Sequence, residues 1–157
     1  MDRIFAKLLY MLEKKLDTVL VTIIADQGSA PRGAGSQMLV GSEGRILGTI
    51  GGGAVEYRSE QIAVKVLEEK TSLGHDFTLT KDDVQNLGMI CGGACNVFFH
   101  YLPAGDEHTI MLCEEAEEQF RKGNALWLLT NVGENGQMGL YAPDLGYWGI
   151  LVSDELK

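Results

Sequence analysis

The run Thr18–Ala25 (TVLVTIIA) constrains the fold more than any other stretch of the chain. It is β-branched and apolar at successive positions, so both faces of the strand it forms must be covered, which is the pattern of a strand in the middle of a sheet. Helical segments must then supply the cover. Ile4, Phe5, Leu8, Leu9, Leu12 and Leu16 recur at three-to-four-residue spacing, which predicts an amphipathic helix from Asp2 to about Lys15 with Asp2 as its N-cap. Val55, Ser59, Ile62, Ala63, Val66 and Leu67 predict a second helix from about Ala54 to Lys70, with Gly74 as its stop.

Short strands are expected at Ser36–Val40 and Arg45–Ile50, joined by the turn-rich Gly41–Gly44, and further strands at His75–Leu79 and Ala94–Leu102. Thr80 and Asp83 have capping-box spacing and predict a short helical turn ending near Leu87. Beyond Pro103–Glu107 a helix around Ile110–Phe120, a strand at Ala125–Thr130 and an Asn135-Gly136 turn into Gln137–Ala142 are expected. The fold class is therefore α/β: a mixed sheet flanked by helices, with a small strand-hairpin extension. Residues 1–105 form the core, and 106–157 a helix and strand extension packed on the same domain.

Bulk properties exclude several function classes. With 157 residues, 45% of them hydrophobic, the chain can bury one core. A net charge of −9 leaves no basic footprint for nucleic acid or an anionic membrane surface, so any phosphate must be gripped locally. Neither a signal peptide nor a membrane span fits the sequence, and three cysteines, an odd count, read as reduced thiols in a cytoplasmic protein.

Three glycine-marked stretches are candidates for chemistry. Asp26–Gly35 is a loop beyond the end of the apolar strand, where open α/β sheets bind ligands, and Arg32 is its one cation. Gly51, Gly52 and Gly53 lie between a strand and a helix, where backbone N–H groups suit an anion; the stretch is neither a dinucleotide fingerprint nor a Walker loop. Glu56, in the first helical turn, complements the helix dipole by default, and its functional reading is an acceptor for an amino-imine edge such as a pterin presents. Gly88, Gly92 and Gly93 strip side chains from around Cys91. Two readings of that thiol stand side by side: packing in a tight turn, or a soft metal ligand or sulfur carrier. Cys95 alternates with Val97 and Phe99 and reads as a buried small hydrophobe, and Cys113 falls in a helix. Cys91, Cys95, His100 and Cys113 make a weak zinc set, since no CxxC pair exists. No role is read for His75, His100 or His108.

Taken in order, Gly28-Ser-Ala-Pro-Arg32-x-x-Gly35-x-x-Met38, Gly48-x-x-Gly51-Gly-Gly53-x-x-Glu56 and Gly88-Met-x-Cys91-Gly-Gly93 resemble the N-terminal domain of the XdhC/CoxI family, most clearly between Leu9 and Leu102. The resemblance implies an accessory protein that transiently binds molybdenum cofactor (molybdopterin), supports its sulfuration by a cysteine desulfurase, and delivers it to a molybdenum hydroxylase apoenzyme of the xanthine dehydrogenase type. By that resemblance Cys91 is the residue that touches molybdenum or relays sulfur. Arg32, Gly51, Gly52, Gly53, Glu56, Gly92 and Gly93 are the cofactor-binding set. A chaperone is implied rather than a turnover enzyme, with a homodimer enclosing one ligand as the expected assembly. The alternatives are a cysteine-dependent enzyme acting on a small phosphorylated substrate and a ligand-free interaction module. The resemblance departs downstream: many members continue into a Rossmann-type domain, and no GxGxxG stretch occurs here, as expected of a one-domain relative or a truncated piece.

Overall fold

The structure is a computed structural model and describes residues 2–28, 32–78, 93–133 and 136–150. Its elements are α1 (Asp2–Glu13), β1 (Thr18–Gly28), β2 (Gln37–Gly41), β3 (Gly44–Gly48), α2 (Gly53–Glu69), β4 (Leu73–Thr78), β5 (Gly93–Leu102), α3 (Glu107–Arg121), β6 (Trp127–Thr130), β7 (Met138–Ala142) and β8 (Gly146–Trp148). Strands β3-β2-β1-β5-β4 form one sheet in that order, and β6-β7-β8 form a small meander.

β1 occupies the centre of the larger sheet, as its two-faced apolar pattern requires. Val19, Val21 and Ile23 point to one side and pack with Met38, Val40, Val97 and Phe99 against Val55, Ala63 and Val66 of α2. Leu20, Leu39 and Leu102 point to the other side and meet Phe5, Leu8 and Leu12 of α1, Leu112 and Ala116 of α3, and Leu140 of β7. The molecule is thus layered as α2, five-stranded sheet, then α1 and α3 with the meander. Each fully buried leucine in these layers contributes roughly 2 kcal/mol of transfer free energy. The opposite face of the meander carries a row of aromatic rings: Trp127 pairs across the strands with Tyr141, and Tyr141 with Tyr147.

The α/β class, the flanking helices and the strand-hairpin extension agree with the sequence reading. The sheet was expected to be mixed, but every described pairing is antiparallel. The physical reason is where α2 delivers the chain: it leads from edge strand β3 to β4 at the opposite edge, where β4 pairs antiparallel with β5. Gly74 does not stop α2. The helix ends at Lys70 in the left-handed conformation (φ 54°), and Gly74 lies within β4. The turn expected at Thr80–Leu87 and residue Asn135 lie outside the described residues. Among the described residues no helix is long and apolar enough to cross a membrane.

Candidate functional site

Strand register gathers the ends of five strands at one rim of the sheet. Thr22 pairs with Gln37 and Val19 with Val40, so the end of β1 lies beside the start of β2. Met38 pairs with Gly48, which brings the end of β3 to the same rim. Gly28 pairs with Gly93 and Thr78 with Ala94, adding the start of β5 and the end of β4. The loop carrying Arg32, the glycine triplet and the chain entering β5 therefore all leave from this rim. From β3 to β5 there are three inter-strand steps, about 14 Å at the usual spacing.

Arg32 sits on a tethered loop. Asp26 Oδ1 accepts the Ala34 N–H at 2.8 Å, and Ile23 O accepts the Gly35 N–H at 2.8 Å. Ser36 Oγ donates to Gly33 O at 2.8 Å. A register shift between Ile23 and Ala25 in the β1–β5 ladder bends β1 just before this loop, as bulges beside functional loops commonly do. The guanidinium is exposed and borders an open hollow of about 360 Å³ that also includes Ser36, Gln37, Gly48 and Thr49. Gly48 has φ 82°, and a Cβ there would come within 2.4 Å of Gln37 O, so glycine is required for the two strands to meet below the hollow.

The glycine turn is held by Glu56, which is only 7% exposed. Its Oε2 accepts from Ile50 N at 3.0 Å, from Gly52 N at 3.1 Å and from Thr49 Oγ1, while Oε1 accepts from Arg45 Nη1. Thr49 Oγ1 in turn accepts from Gly51 N at 3.1 Å. Burial pushes the Glu56 carboxyl up, but the hydrogen bonds from Thr49, Gly52 and Ile50 and the charge of Arg45 outweigh it and hold the group below its ordinary value. Two of the three triplet amides that the sequence reading reserved for a phosphate are thus already bonded, that of Gly52 by the chain's own carboxylate and that of Gly51 by Thr49 Oγ1. Glu56 acts here as a positioning residue, fixing the turn that starts α2. Sequence reasoning missed Arg45, Thr49 and Asp26. Thr49, one residue before Ile50 and the triplet, carried the single usable signal.

Of the sequence-predicted set, the structure brings Arg32, Gly51, Gly52, Gly53, Glu56 and Gly93 to one rim, while Cys91 and Gly92 lie outside the described residues. Cys95 and Cys113 are buried packing thiols. Burial, then the charge of Asp26, raises the Cys95 thiol, and burial with Glu117 and Glu114 pushes Cys113 up to about 12, so neither is an ionised nucleophile at neutral pH. Among the described residues no group of three or more His, Cys, Asp or Glu side chains could hold a metal ion. The Arg32 guanidinium at the rim suits an oxyanion such as a phosphate.

Residues 11–78 match the XdhC and CoxI family. The chain is 33% identical over 95 residues to the uncharacterized protein YqeB of Escherichia coli strain K12, covering 60% of this chain and 17% of that protein. It is 30% identical over 112 residues to a probable xanthine dehydrogenase subunit of Bacillus subtilis strain 168, covering 71% of this chain and 32% of the relative. It therefore spans a third or less of the length of these relatives. A crystal structure of a xanthine dehydrogenase from Bacillus halodurans shares the fold with a TM-score of 0.70 at 22% identity, over 95% of this chain and 45% of that one. The segment from the end of α1 through β4, which carries Arg32, the glycine triplet and Glu56, is the part of the chain that matches the XdhC and CoxI family.

Proposed function

We propose that this chain binds the molybdenum cofactor transiently, supports its sulfuration and helps insert it into a xanthine dehydrogenase-type molybdenum hydroxylase. The observation that carries the reading is the common rim: Arg32 and the glycine turn leave the sheet at the end where Gly93, two residues after Cys91, enters it. The family match over residues 11–78 and the likeness to a probable xanthine dehydrogenase subunit suggest the class of client enzyme.

In this reading Arg32 and the rim around Gly51–Gly53 hold the cofactor's phosphate, and Gly92 and Gly93 let its body approach the backbone. Glu56 keeps the turn in place. Cys91 is the metal ligand, or it carries sulfane sulfur from a cysteine desulfurase. When bound, the cofactor supplies the molybdenum that a thiolate can coordinate. The partners are the apoenzyme, the desulfurase and a second copy of this chain in a cytoplasmic homodimer. Residues 1–105 and 106–157 work as one domain, with α1 and α3 sharing a core.

The test is protein purified from a molybdenum-replete host, assayed for metal and for pterin. Cys91→Ala is expected to retain roughly tenfold less cofactor, a difference of about 1.4 kcal/mol, with an unchanged melting temperature. Equal retention and equal activation of the client enzyme by the variant would remove Cys91 from the site.

A further inference from the structure

We propose that the outer faces of α1 and α3 form an isologous interface between two copies of this chain, the basic stripe Lys7-Tyr10-Lys14 of one copy lying antiparallel on the acidic stripe Glu107-Met111-Glu114 of the other. α1 buries Ile4, Phe5, Leu8 and Leu12, and the stripe on its other side steps by three and then four residues. Lys14 N donates to Tyr10 O at 3.1 Å, which carries the helical turn on to Lys14. α3 buries Leu112, Cys113 and Ala116, and its outward stripe, read backwards from Glu114, also steps by three and then four. Laid head to tail, Lys7 meets Glu114, Tyr10 meets Met111 and Lys14 meets Glu107. Two positions join opposite charges, and the middle one sets a thioether against an aromatic ring.

The members of both stripes are open to a partner. Tyr10 is 49% exposed and Met111 54%, and both are large apolar side chains that gain from being covered. The Lys7 and Lys14 ammonium groups lie 4.7 and 5.8 Å from the centre of the Tyr10 ring, which joins the three side chains into one patch. Among the described residues neither lysine pairs with a carboxylate, and neither Glu107 nor Glu114 pairs with a cation. Glu118 is held by Arg121 and Lys122, and Arg3 has a partner already, so the match uses neither. Two chains of net charge −9 repel at long range, and the Lys7–Lys14 stripe is a place where that repulsion is locally reversed.

Packing within one chain supplies the same register. Phe5 meets Phe120 with ring centroids 6.0 Å apart, and a Cβ on Gly105 would lie 3.6 Å from Lys15 Nζ, so α1 and α3 run antiparallel side by side. Counted inward from these two contacts, the residue of α3 level with Tyr10 falls between Ile110 and Glu115, a span that includes Met111. A two-fold axis parallel to the helices exchanges α1 and α3 between copies and leaves every height unchanged. It sets Tyr10 of one copy over that span in the other, in agreement with the register the charges give. Direction along the axis is also kept. Both rims, which lie at the N-terminal end of α1, therefore open at the same end of the dimer.

This surface rests on the homodimer proposed above and is independent of the cofactor. Sedimentation equilibrium of the whole chain at physiological ionic strength tests it, and wild type is expected to dimerise. Lys7→Glu with Lys14→Glu makes both stripes acidic, and Glu107→Lys with Glu114→Lys makes both basic. Each double variant should dissociate roughly a hundredfold more readily than wild type. Mixed in equal amounts, the two should pair with each other about as tightly as wild type does with itself, because both α1–α3 contacts again join opposite signs. Thermal unfolding reports the fold of each variant, and Lys14→Glu mixed with Glu107→Lys covers the case in which a double variant does not fold. A monomeric wild type overturns the interface and the homodimer together. Folded double variants that dimerise like wild type overturn this interface and leave a homodimer through another face. A mixture that stays monomeric overturns the pairing of α1 with α3. Molybdenum and pterin content are read separately, so the cofactor reading stands or falls on its own.

Discussion

Glu56→Ala is expected to lower the unfolding free energy by about 3 kcal/mol, a fall in melting temperature of about 10 °C for a chain of this size. The carboxylate is almost fully buried and receives four donors: the Ile50 and Gly52 amides, the Thr49 hydroxyl and the Arg45 guanidinium. Removing it leaves the Ile50 amide, at a fully buried residue, without its acceptor, and each such orphaned group costs about 1–3 kcal/mol. Arg45 is 43% exposed at its side chain, so its lost partner is partly replaced by water and by Glu60, 3.6 Å away. The sign of the pH dependence follows from the lowered carboxyl. Stability from Glu56 is fully present above the ordinary value of 4.5 and is lost as pH falls through the folded-state value below it. Urea unfolding of wild type and variant at neutral pH checks the magnitude. A loss under about 1 kcal/mol would mean that the turn holds itself without the carboxylate.

His100 is expected to cost the fold about 3 kcal/mol between pH 6.5 and 4. Only 6% exposed, it lies on β5 beside Phe98 and below Gly136, whose added Cβ would come within 2.7 Å of the imidazole. No described group hydrogen-bonds its Nδ1. Burial lowers its pKa from 6.5 to about 4, against the opposing pull of Asp106. The unfolded chain takes up a proton near 6.5 and the folded one only near 4, so the unfolded state binds more protons across that window. Stability from the neutral ring is complete above pH 6.5 and drains away as pH falls to 4. In His100→Gln the slope of unfolding free energy against pH should flatten across this window. An unchanged slope would assign the acid sensitivity to other groups.

How much of this was legible in the sequence differs from element to element. Thr18–Ala25 announced a central strand because covering both faces needs layers on both sides, and α1 and α2 supply them. The Gly41–Gly44 connection announced its hairpin through turn chemistry. Strand direction was not legible, because the period-two pattern of β4 or β5 reads the same parallel or antiparallel. The end of α2 near Lys70 was legible, but its cap was not, because Lys70 itself rather than Gly74 adopts the left-handed conformation that glycine ordinarily supplies. At the site, Arg32 was visible as a cation on a constrained loop, whereas Glu56 was read either as complementing the helix dipole or as facing a ligand, and its bonds to the preceding turn were not visible. A first-turn glutamate has the same spacing whether it faces outward or folds back under the preceding turn, and only the path of Thr49–Gly52 decides.

The central claim is that this chain holds the molybdenum cofactor, and the most direct measurement is the molybdenum and pterin content of the wild-type chain. The protein would be purified from a host shown to make the cofactor and quantified against its concentration. The account predicts molybdenum and pterin together in a fixed ratio to protein, both released on denaturation. Protein free of both, from a host whose own molybdenum enzymes are fully loaded, would contradict it.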